Sequence, residues 1–68
     1  MNDNIEPKHY VNMRIPPNVY ITENNLCWEI GNVIKYVSRY ENKNGLEDLL
    51  KARKYLDMLI DRKYPDDK

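Results

Sequence analysis

Lys35, Tyr36, Arg39, Tyr40 and Lys43 bring cations and aromatic rings together within one short stretch. Lys35 and Arg39 are four residues apart, so on a helix their side chains share a face, with Tyr36 and Tyr40 in a parallel row beside them. Cations neutralise a phosphate, which arginine can grip with two parallel hydrogen bonds. Tyrosine rings offer a surface on which a base can stack. The plainer reading of the same residues is a solvated helix face whose tyrosines cover the edge of the core. A second set, Lys51, Arg53, Lys54 and Tyr55, again puts a charge and a ring (Lys51 and Tyr55) on one face. Here ordinary surface charge, balanced by Glu47, Asp48 and Asp57, is the favoured reading. A third set, Pro7-Lys8-His9-Tyr10, precedes the helical part and could fold over a ligand as an arm. His9 titrates near neutrality and suits acid–base work, although a lone surface histidine is ordinarily inert.

Other chemistries lack their parts. Gly31 and Gly45 are the only glycines, and no G-x-x-x-x-G-K-[ST] phosphate loop occurs. No E-x-x-E pair is present to build a multi-carboxylate magnesium site. Ser38 is the only serine and His9 the only histidine, so no nucleophile triad can be assembled. His9 and Cys27 are the only soft metal ligands, short of the four that a structural zinc usually takes. The expectation is therefore a protein without catalytic residues, metal or cofactor.

The chain of 68 residues accommodates one domain, 1–68, with a modest core and a thin stability margin. Small chains make up the difference with disulfides, metals or partners. One cysteine forms no intrachain disulfide, so association with further copies is the expected remedy, as a dimer or tetramer. The lone cysteine fits a reducing compartment. No apolar run approaches the roughly 20 residues that span a bilayer. The polar stretch Met1 to Lys8 lacks the apolar core of a secretory signal, and a cytoplasmic protein is expected. Eleven basic and eleven acidic side chains balance, which argues against bulk nucleic-acid binding. Six tyrosines and one tryptophan, with no phenylalanine, favour half-buried and interfacial positions.

These residues need helices to position them. Residues 1–15 read as an extended arm, in which Val11, Met13 and Ile15 alternate with Asn12 and Arg14 and Pro16-Pro17 close the segment. A short helix is expected over 17–24, followed by a break at Asn24-Asn25, with Asn25 capping the next helix. Residues 26–41 carry one apolar stripe, Leu26, Ile30, Val33, Ile34 and Val37. Gly31 within that helix suggests close approach by another helix or a ligand. Asn42 to Gly45 form a turn needing a left-handed residue. A second long helix follows over 46–63, with Glu47 and Asp48 in its first turn, where the helix dipole favours acids. Pro65 stops it and leaves 64–68 as a frayed tail. The expected fold is all-α: an antiparallel helical hairpin of 26–41 and 46–63, oligomeric, with a short preceding helix and an extended arm.

Three separated blocks resemble a small phage domain family that has no agreed general function. They are Pro7-Lys8-His9-Tyr10; Gly31-Asn32-Val33-Ile34-Lys35-Tyr36 with Arg39; and Glu47-Asp48-Leu49 with Lys51-Ala52 and Tyr55-Leu56. That family also occurs as a domain of a phage nucleotide kinase that lacks a P-loop. The resemblance covers roughly residues 6–60. It implies Lys8, His9, Tyr10, Asn32, Lys35, Tyr36, Arg39 and Lys51 as site residues, nucleotides as the ligand class, and the cytoplasm of an infected bacterium as the location. Small oligomeric phage proteins of similar size can sequester the cyclic nucleotide signals of bacterial defence. The chain lacks the extra segments of the kinase form, and Tyr40-Glu41-Asn42 replaces a smaller, more basic stretch.

The resulting expectation is a non-catalytic protein that binds a nucleotide or cyclic nucleotide at subunit junctions and so counters host anti-phage defence. Lys35, Arg39 and Lys51 would hold phosphates, Tyr10, Tyr36 and Tyr40 would stack on or enclose bases, and His9 would close the site from the arm, with Lys8, Asn32 and Tyr55 as further ligand-binding candidates. The alternatives are a small P-loop-less nucleoside monophosphate kinase, resting on positioning and cationic stabilisation alone, and a helical adaptor for a host protein.

Overall fold

The computed structural model describes residues 13–66, all of whose regular structure is helical. The Lys8-His9-Tyr10 segment and most of the expected arm lie outside the described residues. Of that arm, Met13 to Ile15 form an irregular lead-in to the first helix.

Helix α1, Pro17–Glu23, starts where a proline is welcome, because the first-turn amides have no helical acceptor in any case. Pro16 is extended at the N-cap (φ −61°, ψ 145°), and its carbonyl accepts from the amides of Val19 and Tyr20 at 3.0 and 3.2 Å. The helix ends in a Schellman motif. Asn25 takes the left-handed conformation (φ 52°), its amide donates to Thr22 O at 3.1 Å, and the Leu26 amide donates to Ile21 O at 3.1 Å.

That motif corrects the expected start of the next helix. Asn25 terminates α1 instead of capping α2, and the Leu26 amide is committed backwards. Cys27, extended at φ −68° and ψ 165°, is the N-cap, and α2 spans Trp28–Arg39. Its first bond runs from the Gly31 amide to Cys27 O at 2.8 Å. Gly31 is buried beneath α1: a Cβ built there would lie 3.1 Å from the Ile21 γ2 methyl, so the close approach is by a helix.

The α2 helix stops at Arg39 and tightens into one 3₁₀ turn, Tyr40–Asn42, so the last residues of the expected 26–41 helix belong to this turn. Gly45, at φ 55° and ψ −124°, reverses the chain in a conformation that a side chain would strain. Its amide donates to Tyr40 O at 2.8 Å. Helix α3 then covers Leu46–Lys63, the span expected from the sequence. Tyr64 closes it by donating to Ile60 O at 2.8 Å, one residue before Pro65.

The start of α2 is tied to the end of α3, and the end of α2 to the start of α3. Arg62 donates from Nε and Nη2 to the two carboxylate oxygens of Glu29 at 2.7 and 2.8 Å. Arg39 does the same to Asp48 at 3.2 Å for each bond. Paired arginine–carboxylate forks are directional, so the two of them fix the register of the helices. Apolar burial contributes little between them. Among the described residues Ala52 is the only buried hydrophobic side chain, whereas Glu29 and Asp48 are both buried.

Candidate functional site

Between the two forks the facing helices carry rings. Tyr36 of α2 and Tyr55 of α3 stack nearly parallel, with centroids 5.8 Å apart and planes inclined by 6°. Trp28 meets Tyr55 edge-on at 5.2 Å and 88°. Trp28, Asn32 and Tyr36 recur every four residues, which puts them along one side of α2.

Three cations gather on Tyr36. The Lys35 Nζ lies 5.1 Å from the ring centroid, the Arg39 guanidinium carbon 4.6 Å and the Lys51 Nζ 5.4 Å. Each lies within the range of a cation–π attraction. Lys35 and Arg39 arrive from α2 and Lys51 from α3, so the cluster exists only when the two helices pack.

Their electrostatic partners differ. Arg39 is pinned: its Nε and one Nη2 hydrogen are used by Asp48, whose carboxylate also accepts from the Asn44 amide at 3.1 Å. Burial is the largest influence on Asp48 and disfavours its charge. The Arg39 fork and the Asn44 amide together outweigh it, so the carboxyl titrates below its ordinary value. Lys51 faces Glu47 at 3.8 Å, an exposed pair one helical turn apart, which is weak and easily exchanged. At the far end, the Arg62 fork holds Glu29 down to about 2 against the opposing effect of burial. Glu29 in turn raises Arg62.

An apolar groove of about 240 Å³ adjoins the cluster, between α1 and α2. Ile21, Leu26, Trp28 and Gly31 form its walls, with Asn32 and Lys35 at its margin. Trp28 and Lys35 thus belong to both the groove and the ring cluster. The Asn32 side-chain amide donates to Trp28 O at 3.0 Å, leaving its carbonyl oxygen as an acceptor beside the groove.

Of the residues expected from the sequence, Lys35, Tyr36, Arg39, Lys51 and Tyr55 come together, and Asn32 lines the adjoining groove. Tyr40 stands apart, in the 3₁₀ turn, with its carbonyl bound by Gly45. Lys8, His9 and Tyr10 lie outside the described residues. Sequence reasoning missed Trp28, whose signal was its four-residue spacing to Asn32 and Tyr36. It also read Asp48 as a first-turn acid and as surface charge balancing Lys51, Arg53 and Lys54, whereas Asp48 is fully buried and anchors Arg39.

The fold and site thus define a small helical protein with a cation-rimmed aromatic cluster beside an apolar groove. The chain belongs to the DUF3310 family, a family of proteins of unknown function, which it matches over residues 4–57. No curated protein and no solved structure matches it. Among the described residues, no helix is long and apolar enough to cross a membrane.

Proposed function

We propose that this protein is a non-catalytic nucleotide-binding protein of phage type that sequesters a cyclic nucleotide or oligonucleotide signal of host defence. In this reading α2 and α3 form an antiparallel hairpin, held at its two ends by the Glu29–Arg62 and Arg39–Asp48 forks. Phosphate sits on Lys35, Lys51 and the Arg39 donors that Asp48 does not use, and a base enters the groove against Trp28. The observation that carries the proposal is the convergence of three cationic side chains, from two helices, within 4.6–5.4 Å of one tyrosine ring. Gathered around one ring, these cations offer a multiply charged anion several partners at once. Arg39, already oriented by Asp48, gives up little side-chain freedom on binding. The groove is smaller than the usual drug-sized pocket of roughly 300 Å³ and above, and suits one ring system. The restriction to phage and to immune signals rests on the resemblance of the three sequence blocks.

Calorimetry with mono-, di- and cyclic nucleotides, and with inorganic phosphate for comparison, tests this reading. Micromolar binding of at least one nucleotide, tighter than phosphate, is expected. No heat at tens of micromolar ligand, corresponding to less than about 6–7 kcal/mol of binding free energy, overturns it. Transfer of phosphate from ATP to a nucleoside monophosphate would replace it with the kinase reading.

A further inference from the structure

Two apolar seams run along the long helices. On α2, Ile30, Val33 and Val37 follow a three-then-four spacing, and on α3 Leu49, Ala52, Leu56 and Leu59 do the same. That spacing is the a/d pattern of packed helical bundles, in which each side chain enters a hole made by a facing helix. The forks make α2 and α3 run in opposite senses. Helical geometry then brings both seams out on one broad side, while Lys35, Tyr36, Arg39 and Lys51 occupy the other. The seams are only partly covered: Val37 is 47% exposed, Leu49 38% and Leu56 42%, with Ile60 beside them at 39%.

We propose that a second copy of this chain covers the two seams, completing a two-fold four-helix bundle that leaves both cation–tyrosine sites facing outward. Four observations select this occupant. Two helices bearing in-phase seams are half of such a bundle, and an identical pair supplies the missing half through a self-complementary, closed interface. The face is large enough: α3 has 18 residues and is about 27 Å long, and two helices about 10 Å wide give on the order of 500 Å² in projection. Side-chain relief raises this toward the roughly 800 Å² of accessible surface per partner in a standard interface. The twelve residues before Met13 carry only Met1, Ile5, Tyr10 and Val11 as large apolar side chains, fewer than α3 alone leaves exposed. Finally, pairing through the opposite side would set Lys35, Arg39 and Lys51 against their own copies, whereas the α2 seam of Ile30, Val33 and Val37 carries no charge and the α3 seam has a single cation, Arg53, beside Leu49 and Leu56.

The sequence alone suggested a junction that gathers cations. The bundle instead separates the junction from the site, so each copy binds its ligand independently. That consequence rests on the proposed function, but the assembly does not, and it is measured without nucleotide.

Sedimentation of the full chain at about 100 µM is expected to give twice the 8.2 kDa chain mass, or a higher even multiple. The doubly substituted L49E/L56E chain is expected to lose that mass, and Lys35→Glu to keep it. Because L49E/L56E could simply unfold, a second variant reads the same face without adding charge. Val37→Cys in a Cys27→Ser background should react with a thiol reagent on the order of ten-fold more slowly at high than at low protein concentration. A helical monomer at 100 µM overturns the proposal. So does an assembly broken by Lys35→Glu but not by L49E/L56E, or an introduced thiol whose reactivity ignores concentration.

Discussion

Arg39, in the last turn of α2, donates two hydrogen bonds of 3.2 Å to Asp48, a first-turn side chain of α3 with no exposed surface. The pair spans the reversal at Asn44-Gly45, and the Asn44 amide adds a third bond to the same carboxylate. All three bonds to Asp48 thus tie it to the segment that must fold back. Asp48→Ala strands the Arg39 fork and the Asn44 amide together, which is the costly way to break a buried pair. The melting temperature of Asp48→Ala should fall by on the order of 10 °C, with Asp48→Asn in between because it keeps one acceptor. An unchanged melting temperature would show that the fork contributes nothing to the turn.

Acid sensitivity follows from the same chemistry. Glu29 titrates at about 2 in the folded chain against 4.5 ordinarily, and Asp48 is lowered as well. Both carboxylates therefore bind protons more tightly when unfolded. Their contribution is fully present above about pH 4.5 and is lost as pH falls through that value toward 2. Arg62, raised by Glu29, plays no part in this window. Chemical denaturation midpoints should stay level from pH 7 to 5 and drop below it. In Glu29→Gln the drop should shrink, since the stabilising ionisation is already gone.

The sequence exposed the elements better than their junctions. Helix α3 was legible to the residue because leucines at helical spacing, acids in the first turn and Pro65 after the last turn all agree. The start of α2 was misjudged because asparagine serves equally at a helix N-cap and in the left-handed position of a Schellman motif. Which one applies depends on where the Leu26 amide donates. The Lys35, Tyr36 and Arg39 constellation was visible from spacing within one helix. Its completion by Lys51 and Tyr55 needed the register of two helices, which the forks set and no local pattern encodes.

The two glycines respond oppositely to a methyl group. At Gly45 a side chain meets nothing within 4 Å, yet the φ of 55° with ψ −124° is a region that glycine alone adopts comfortably. Gly45→Ala should lose about 1–3 kcal/mol from strain alone. At Gly31 the backbone is helical, so alanine regains about 1 kcal/mol of propensity, while its methyl presses Ile21 at 3.1 Å. Ile21 belongs to the seven-residue α1, which can yield by a few tenths of an ångström. Gly31→Ala should therefore stay within about 1 kcal/mol of the parent. Gly31→Leu, too large for that adjustment, should pry α1 away and expose Ile21 to faster amide exchange over α1. Urea midpoints of the three variants check the order, and a Gly45→Ala chain as stable as the parent would refute the turn argument.

Ligand binding should divide the cations by their partners. The forks hold the helix register, and neither Lys35 nor Lys51 belongs to one. Each alanine variant should bind nucleotide about ten-fold more weakly, equivalent to roughly 1.4 kcal/mol, with helical content unchanged. Lys63→Ala, at the far end of α3, should bind like the parent. Glu47→Gln frees Lys51 from a carboxylate at 3.8 Å and should tighten binding modestly, an effect that shrinks at high salt. Arg39→Ala also weakens binding but lowers the melting temperature with it, whereas Arg39→Lys keeps a charge and loses the two-pronged grip on Asp48. A site that depends on charge alone would accept Arg39→Lys. One that depends on an arginine held in place would not, and nucleotide titrations of the two Arg39 variants at matched folded fraction separate these cases.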